Sequence, residues 1–355
     1  MVLSVNIEKR LPGFSLDMSM SCEKGITGIV GASGSGKSML LNCIAGLIKP
    51  DEGTISLGDR VFFNKADNIN LPPQNRRASI LFQNYALFPH MTIKENIAFA
   101  LDGLAVREKN RRVSRLLEQF HISDFAGRYP SQISGGQQQR AALARALAVE
   151  PDILLLDEPF SALDQHLKQN LMREMLEMLS DYEGCVLFVT HNMEEAFRMC
   201  ERLTVIENGH IEAQGLKQDI FNRPPSCSAA KITGCKNIVT AIKSAEHEVY
   251  VPDWGVSLKS EMSFEGNEGF AGIRANHIKL AEAQDKENCF TAWIADRSES
   301  TFSNTLYLKF GEKPYDKDDF QLQCEINKDR MKYVDGKTEK VNIHIDPQHV
   351  FFTYR

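Results

Sequence analysis

The chain has 355 residues, 43% of them hydrophobic and 25% charged, with a formal net charge of −6. Such a length and composition fit a globular protein of two or three domains, and the acidic balance argues against a nucleic-acid binder that neutralises phosphates. No apolar run reaches the ~20 residues that cross a bilayer, since Asp102 interrupts the best stretch, Ile97–Val106, and charge follows rather than precedes the short apolar start, the reverse of a secretory signal.

In chain order, the first strong element is the buried strand Ile26–Val30. It runs into Gly31-Ala32-Ser33-Gly34-Ser35-Gly36-Lys37-Ser38, which opens a helical run at Met39. Strand, G-x-x-x-x-G-K-S and helix together predict a phosphate-binding loop: glycines let successive amides point at phosphate oxygens, aided by the helix N-terminus. Lys37 is expected on the β- and γ-phosphates and the Ser38 hydroxyl on Mg²⁺. Asn64-Lys-Ala-Asp67 carries the letters of a guanine-reading motif. No strand leads into it, and it is read as coincidence.

Further along, Ser79–Phe82, Ile153–Leu156 and Val186–Thr190 also read as buried strands, so residues up to about 221 predict an α/β domain with a mostly parallel sheet. Ligands collect at the carboxyl ends of such strands. The four runs end in the Gly31 loop, Gln83, Asp157-Glu158 and His191. Asp157 suits the Mg²⁺ shell, Glu158 a general base, Gln83 the positioning of water or the metal shell, and His191 a hydrogen bond to the γ-phosphate. Leu167, Leu171, Met175 and Leu179 recur every four residues and predict a helix packed on the core rather than a methionine-lined groove.

Asn222-Arg-Pro-Pro-Ser-Cys-Ser228 reads as a linker. After it the period becomes two: Asn237–Ala241, Glu248–Val251, Phe270–Arg274, Phe290–Ile294, Thr305–Phe310, Phe320–Cys324 and Lys340–Ile345 predict a small β-barrel or sandwich. The expected domains are 1–228, with a helical subdomain over about 84–150, and 229–355. The eight cysteines contain no CxxC pair, and Cys227 and Cys235 are read as structural rather than as a metal or thiol sensor.

Ile133-Ser134-Gly135-Gly136-Gln137-Gln-Gln-Arg140 resembles the signature sequence of ATP-binding cassette (ABC) ATPases, with isoleucine for the commoner leucine. Ser161-Ala-Leu-Asp164 resembles the loop crossing the dimer seam, Thr190-His191 the switch histidine, and Leu81–Thr92 the glutamine loop of bacterial importer subunits. The resemblance covers about residues 1–221. It implies an ATPase that uses ATP and Mg²⁺, and a head-to-tail dimer with each ATP between the phosphate loop of one copy and Ser134, Gly135, Gly136 and Gln137 of the other, with Asp164 at the seam. Most cassettes stack adenine on an aromatic upstream of the loop, where this chain has Phe14.

One cassette, only 103 residues between Gly31 and Ser134, and no membrane domain resemble the separate ATPase subunit of an importer. That implies membrane permease subunits as direct partners, an extracellular binding protein as an indirect one, and a place on the cytoplasmic face of the membrane. The alternative is a non-transport ABC protein acting on a cytosolic partner. Tyr85, Phe88, Pro89 and Met91 either receive the permease or pack the helical subdomain. The shortened hairpin Gly13–Met18 and the stretch Asn68–Arg77 resemble molybdate-type ATPases, as do Gly234–Val239 and Gly272–Arg274 in an OB-like, TOBE-type tail. Molybdate is therefore favoured over sulfate, ferric iron or polyamine. The tail either braces the dimer or captures an oxyanion, with Lys236, Arg274 and Lys279 as candidates.

Overall fold

The computed structural model describes residues 1–161, 165–281, 287–300, 303–327 and 339–354, so Asp164 lies outside the described residues. Two compact units, Met1–Lys217 and Gln218–Arg355, make up the chain.

One eleven-stranded sheet runs through the first unit. Its strands are β1 (Leu3–Leu11), β2 (Phe14–Cys22), β3 (Gly25–Val30), β4 (Glu52–Leu57), β5 (Arg60–Asn64), β6 (Ile69–Asn70), β7 (Ala78–Leu81), β8 (Ile153–Asp157), β9 (Cys185–Thr190), β10 (Arg202–Glu207) and β11 (His210–Leu216). The spatial order is β6-β5-β4-β1-β2-β11-β10-β3-β9-β8-β7. The four expected strands are neighbours, β3-β9-β8-β7, and pair in parallel. The expectation of a mostly parallel sheet is corrected, because β6, β5, β4, β1 and β2 form an antiparallel wing. Leu3, Val5 and Ile7 alternate with exposed residues, as a sheet with one wet face requires.

Helices α1 (Lys37–Ala45), α2 (Ile93–Phe99), α3 (Val106–Gln119), α4 (Gly135–Leu147), α5 (Gln165–Leu179) and α6 (Met193–Met199) accompany the sheet. On α5, Leu171, Met175 and Leu179 are buried as their spacing predicts. Helix α1 is anchored at its far end by Arg76, which is wholly buried. Its guanidinium donates to the carbonyls of Cys43 at 2.7 Å, Ile44 at 2.9 Å and Leu71 at 2.9 Å, and to Asn70 Oδ1 at 2.9 Å. These bonds satisfy carbonyls that a helix end leaves without partners. Gly46 must be glycine here. It has φ +83°, and a Cβ would sit 2.6 Å from Arg76 Nε.

The second unit holds two five-stranded antiparallel sheets around one core that includes Val249, Trp254, Leu306, Leu308, Ile343 and Ile345. All seven expected strands are present within a few residues. Three further short ones, Val256–Lys259, Ile278–Leu280 and Phe351–Thr353, were not expected. The division falls after Lys217 rather than after residue 228, and the supposed linker is folded. Pro224 and Ser226 are buried. Ser226 caps the helix Cys227–Ile232 by accepting from Ala229 N at 3.0 Å. Arg274 donates to the carbonyl of Phe221 at 3.1 Å, tying this stretch to the second unit.

Candidate functional site

The phosphate loop leaves β3 and turns directly into α1. At Gly31 a Cβ would lie 2.2 Å from the carbonyl oxygen of Ile206, so no larger residue fits. At Gly36 the backbone is left-handed, φ +102°, and a Cβ would meet Leu16 Cδ1 at 2.6 Å. Phe14, the aromatic upstream, has Cζ 3.1 Å from that same point and is half-buried beneath the loop. Ala32, Ser33 and Gly34 are exposed along the rim, and Ser35 is buried with no partner for its hydroxyl.

Lys37 is buried, and its Nζ donates to the carbonyls of Gly31 at 2.9 Å and Ala32 at 2.7 Å. Burial lowers its pKa, while Glu158 and Asp157 push the other way. Among the described residues no carboxylate forms an ion pair with it. A buried ammonium held only by its own loop's carbonyls is suited to an anionic ligand.

The parallel pairing of β3, β9, β8 and β7 puts their carboxyl ends side by side. Ser38 Oγ donates to Asp157 Oδ1 at 3.0 Å, linking the loop to the end of β8. Burial raises the Asp157 pKa, helped by repulsion from Glu158 and opposed by Ser38 and Lys37. Two hard oxygen donors this close fit Mg²⁺, which takes one or two carboxylates and completes its shell with water and phosphate. Glu158 has φ +45°, a left-handed backbone that costs a residue with a side chain about 1–3 kcal/mol. Ser161 holds the turn, its N–H and hydroxyl both donating to the Glu158 carbonyl. The turn points the Glu158 carboxylate at His191, whose Nδ1 is 3.1 Å from Oε2. The imidazole is 59% exposed, against 22% for Glu158. A carboxylate oriented in this way can accept a proton from water. Gln83 stands exposed at the end of β7, in line with the others but outside their contacts.

Ser134 is the N-cap of α4. Its Oγ accepts from Gln137 N at 3.4 Å, and its own N–H donates to Gln137 Oε1 at 2.9 Å. Gly135 and Gly136 form the first turn of that helix. Because α4 packs on β7, three strands from β3, roughly 14 Å of sheet separates it from the strand bearing the loop. Ser134 and the loop therefore fall on different parts of one chain.

Strand β5 does lead into Asn64, against expectation, but Asn64 and Asp67 form only a local turn, with Asn64 Nδ2 donating to Asp67 Oδ2 at 2.5 Å. Tyr85 is buried and Phe88 packs edge-on against Phe99, centroids 4.8 Å apart, so these two serve the helical subdomain. Pro89 remains exposed. Arg274 and Lys279 do not line one cavity, and Lys236 is exposed. The Arg274 guanidinium is buried and donates to the carbonyls of Phe221 and Thr233 and to Thr233 Oγ1. It borders a cavity of about 280 Å³, whereas Lys279 borders a separate one. Cys235 is buried with its thiol against the carbonyls of Asn237 and Ile273, and burial raises its pKa.

The sequence reading missed Gln139, whose Nε2 donates to the Pro159 carbonyl at 3.2 Å and joins α4 to the turn after Glu158. It also missed Arg145, which donates to the carbonyls of Tyr85 at 3.0 Å and Ala86 at 2.8 Å and so fixes the glutamine loop. The first signal lay in the run Gln137-Gln-Gln139; the second had none, since an arginine every few residues on a helix is ordinary.

Replacing Asp157 by asparagine gives a first test of this electrostatic picture. The raised pKa means that the ionised form is costly in the fold, so this group's contribution improves as pH falls through its folded pKa and is worst above it. Asp157→Asn should raise the nucleotide-free melting temperature at pH 7. It should also remove Mg²⁺-dependent hydrolysis. A lower melting temperature in scanning calorimetry contradicts the assignment.

The sequence profile of the ABC transporter family matches residues 16–161. A Salmonella choleraesuis protein assigned by name to 2-aminoethylphosphonate import is 36% identical over 78% of this chain and 76% of its own length. The sulfate/thiosulfate import ATP-binding protein of Bacillus cereus is 33% identical over 94% and 92%. The molybdate/tungstate import ATP-binding protein of Thermococcus kodakarensis is 44% identical over 68% and 73%. Among solved structures, the dimeric ATP-binding cassette MJ0796, bound to ADP and Pi after hydrolysis, superposes with a TM-score of 0.51. It is 29% identical and covers 61% of this chain and 98% of that one. The chain belongs to the ABC transporter family, and within it to the import ATP-binding proteins.

Proposed function

We propose that the chain is the ATP-hydrolysing subunit that powers import of a tetrahedral oxyanion. The observation that carries the chemistry is the row of strand ends in which Ser38 meets Asp157 and Glu158 meets His191 beside a buried, carboxylate-free Lys37. Ser38 and Asp157 would hold Mg²⁺, which would supply positive charge to the phosphate oxygens. Lys37 exchanges its loop carbonyls for phosphate. Glu158 takes the proton of the attacking water, His191 orients Glu158 and bonds the γ-phosphate, and Gln83 positions the water or completes the metal shell. Ser134, Gly135, Gly136 and Gln137 serve the nucleotide of a second copy, with Asp164 at the seam.

The partners in this reading are that second copy, membrane permease subunits and, indirectly, an extracellular binding protein. The chain works at the cytoplasmic face of the membrane, and no helix among its described residues is long and apolar enough to cross. The tail, a TOBE-type module in this reading, braces the dimer, since the Arg274 guanidinium is engaged by backbone carbonyls and does not share a cavity with Lys279.

Two classes of transported ion are supported to similar degrees. The molybdate/tungstate relative has the higher identity, while the sulfate/thiosulfate relative matches through the tail as well. A strain lacking the gene should lose uptake of labelled molybdate and tungstate, or of sulfate, and regain it with the intact gene but not with the Glu158→Gln form. Unchanged uptake of all three ions overturns the oxyanion reading.

A further inference from the structure

Behind His191 lies a buried chain of charge and hydroxyl that the reaction scheme does not use. Glu195, only 4% exposed, is the third residue of α6. Its Oε2 accepts from Thr190 Oγ1 at 2.6 Å, and its Oε1 accepts from Lys168 Nζ at 2.6 Å. The Thr190 hydroxyl in turn accepts from Asn192 N at 3.0 Å, and Asn192 Oδ1 accepts from the N–H groups of Glu194 and Glu195 at 2.8 and 3.3 Å. The two residues flanking His191 are thereby fixed through side chains, and every fixing bond leads to Glu195 or to the turn that carries it.

Lys168 sits in the first turn of α5, the helix that follows residues 162–164. A carboxylate this deeply buried is costly unless it is both paired and hydrogen-bonded, and it retains both partners here. A structural helix start needs only the Asn192 cap. The carboxylate adds nothing to that cap, but it does tie α5 to the last residue of β9 before the imidazole.

We propose that Glu195 is the positioning residue for His191, with Lys168 supplying the counter-charge that makes the placement of the imidazole depend on α5. This rests on the reading of His191 given above. In an unsupported Thr190–Asn192 turn the ring would sample orientations away from Glu158. The loss would therefore fall on turnover rather than on nucleotide affinity.

The test uses full-length Lys168→Met, Lys168→Arg and Thr190→Val, the last nearly isosteric and chosen in case the lysine variant fails to fold. Turnover in Lys168→Met and Thr190→Val should fall about tenfold, with the KM for ATP within about twofold of the original, and Lys168→Arg should recover most of it. In protein labelled with ¹³C at histidine Cε1, the His191 resonance is identified by its absence from His191→Ala. That resonance should shift or broaden in Lys168→Met and Thr190→Val and return in Lys168→Arg. An unmoved His191 signal in both variants overturns the proposal, even if turnover falls. A moved signal combined with normal turnover in His191→Ala upholds the positioning and instead removes the catalytic reading of the histidine.

Discussion

With Glu158 replaced by glutamine, ATP turnover should fall by roughly 10²–10⁴-fold while nucleotide still binds. Glutamine keeps the length and shape of the side chain and can still face His191, 3.1 Å away in the native protein. What it lacks is a carboxylate able to take the proton that water loses on attacking phosphate. The left-handed turn at Glu158 is held from the backbone by Ser161 and so survives the change. If ATP closes two copies and hydrolysis reopens them, the glutamine form should accumulate as an ATP-held dimer in size-exclusion chromatography. Native turnover in this variant would remove Glu158 from the reaction.

An arginine at Ser134 should separate binding from hydrolysis. The substitution loses the bond from Gln137 N to Ser134 Oγ, a cap of about 1 kcal/mol, which the fold can tolerate. Ser134 heads a helix on β7, three strands from the one that carries the phosphate loop. ATP affinity measured on the monomer should therefore stay within about twofold. The long side chain would occupy the face to which a partner's nucleotide must come. ATP-driven dimerisation in the analytical ultracentrifuge should be lost, and hydrolysis should fall by at least about 10²-fold with it. Substantial hydrolysis by a strictly monomeric Ser134→Arg protein would mean that one chain completes its own site.

The parts of this molecule that were legible in the sequence share a physical cause. Strands β8 and β9 are buried on both faces and β3 is buried from Thr27 to Val30, so each is written as a largely apolar run, and the loop or polar residue that follows each run marks the site. The phosphate loop was legible because glycine is forced wherever a Cβ would strike Ile206 or Leu16. The antiparallel wing was not, since its strand order rests on pairings such as β1 with β4, whose partners lie up to some fifty residues away. Gln139, Arg145 and Glu195 were missed for another reason. Each is an unremarkable polar residue on a helix, and only the tertiary fold turns it toward a carbonyl or a hydroxyl. The stretch Asn68–Arg77 carried an expectation about the transported ion, yet the buried Arg76 within it has a structural duty that any transported ion would leave unchanged.

Arg76 also has a consequence for how the protein opens. Its guanidinium, itself wholly buried, holds the Cys43 and Ile44 carbonyls at the end of α1 and, in the segment following β5, the Leu71 carbonyl and Asn70 Oδ1. Pulling either partner away leaves a buried cation facing unbonded carbonyls, a penalty that falls on both at once. The helix behind the phosphate loop and the antiparallel wing should therefore open as one cooperative unit. In native-state hydrogen exchange, the amides of Leu40–Ala45 and those of β4 and β5 should share a single opening free energy and a single denaturant dependence, rather than fraying from the wing inward.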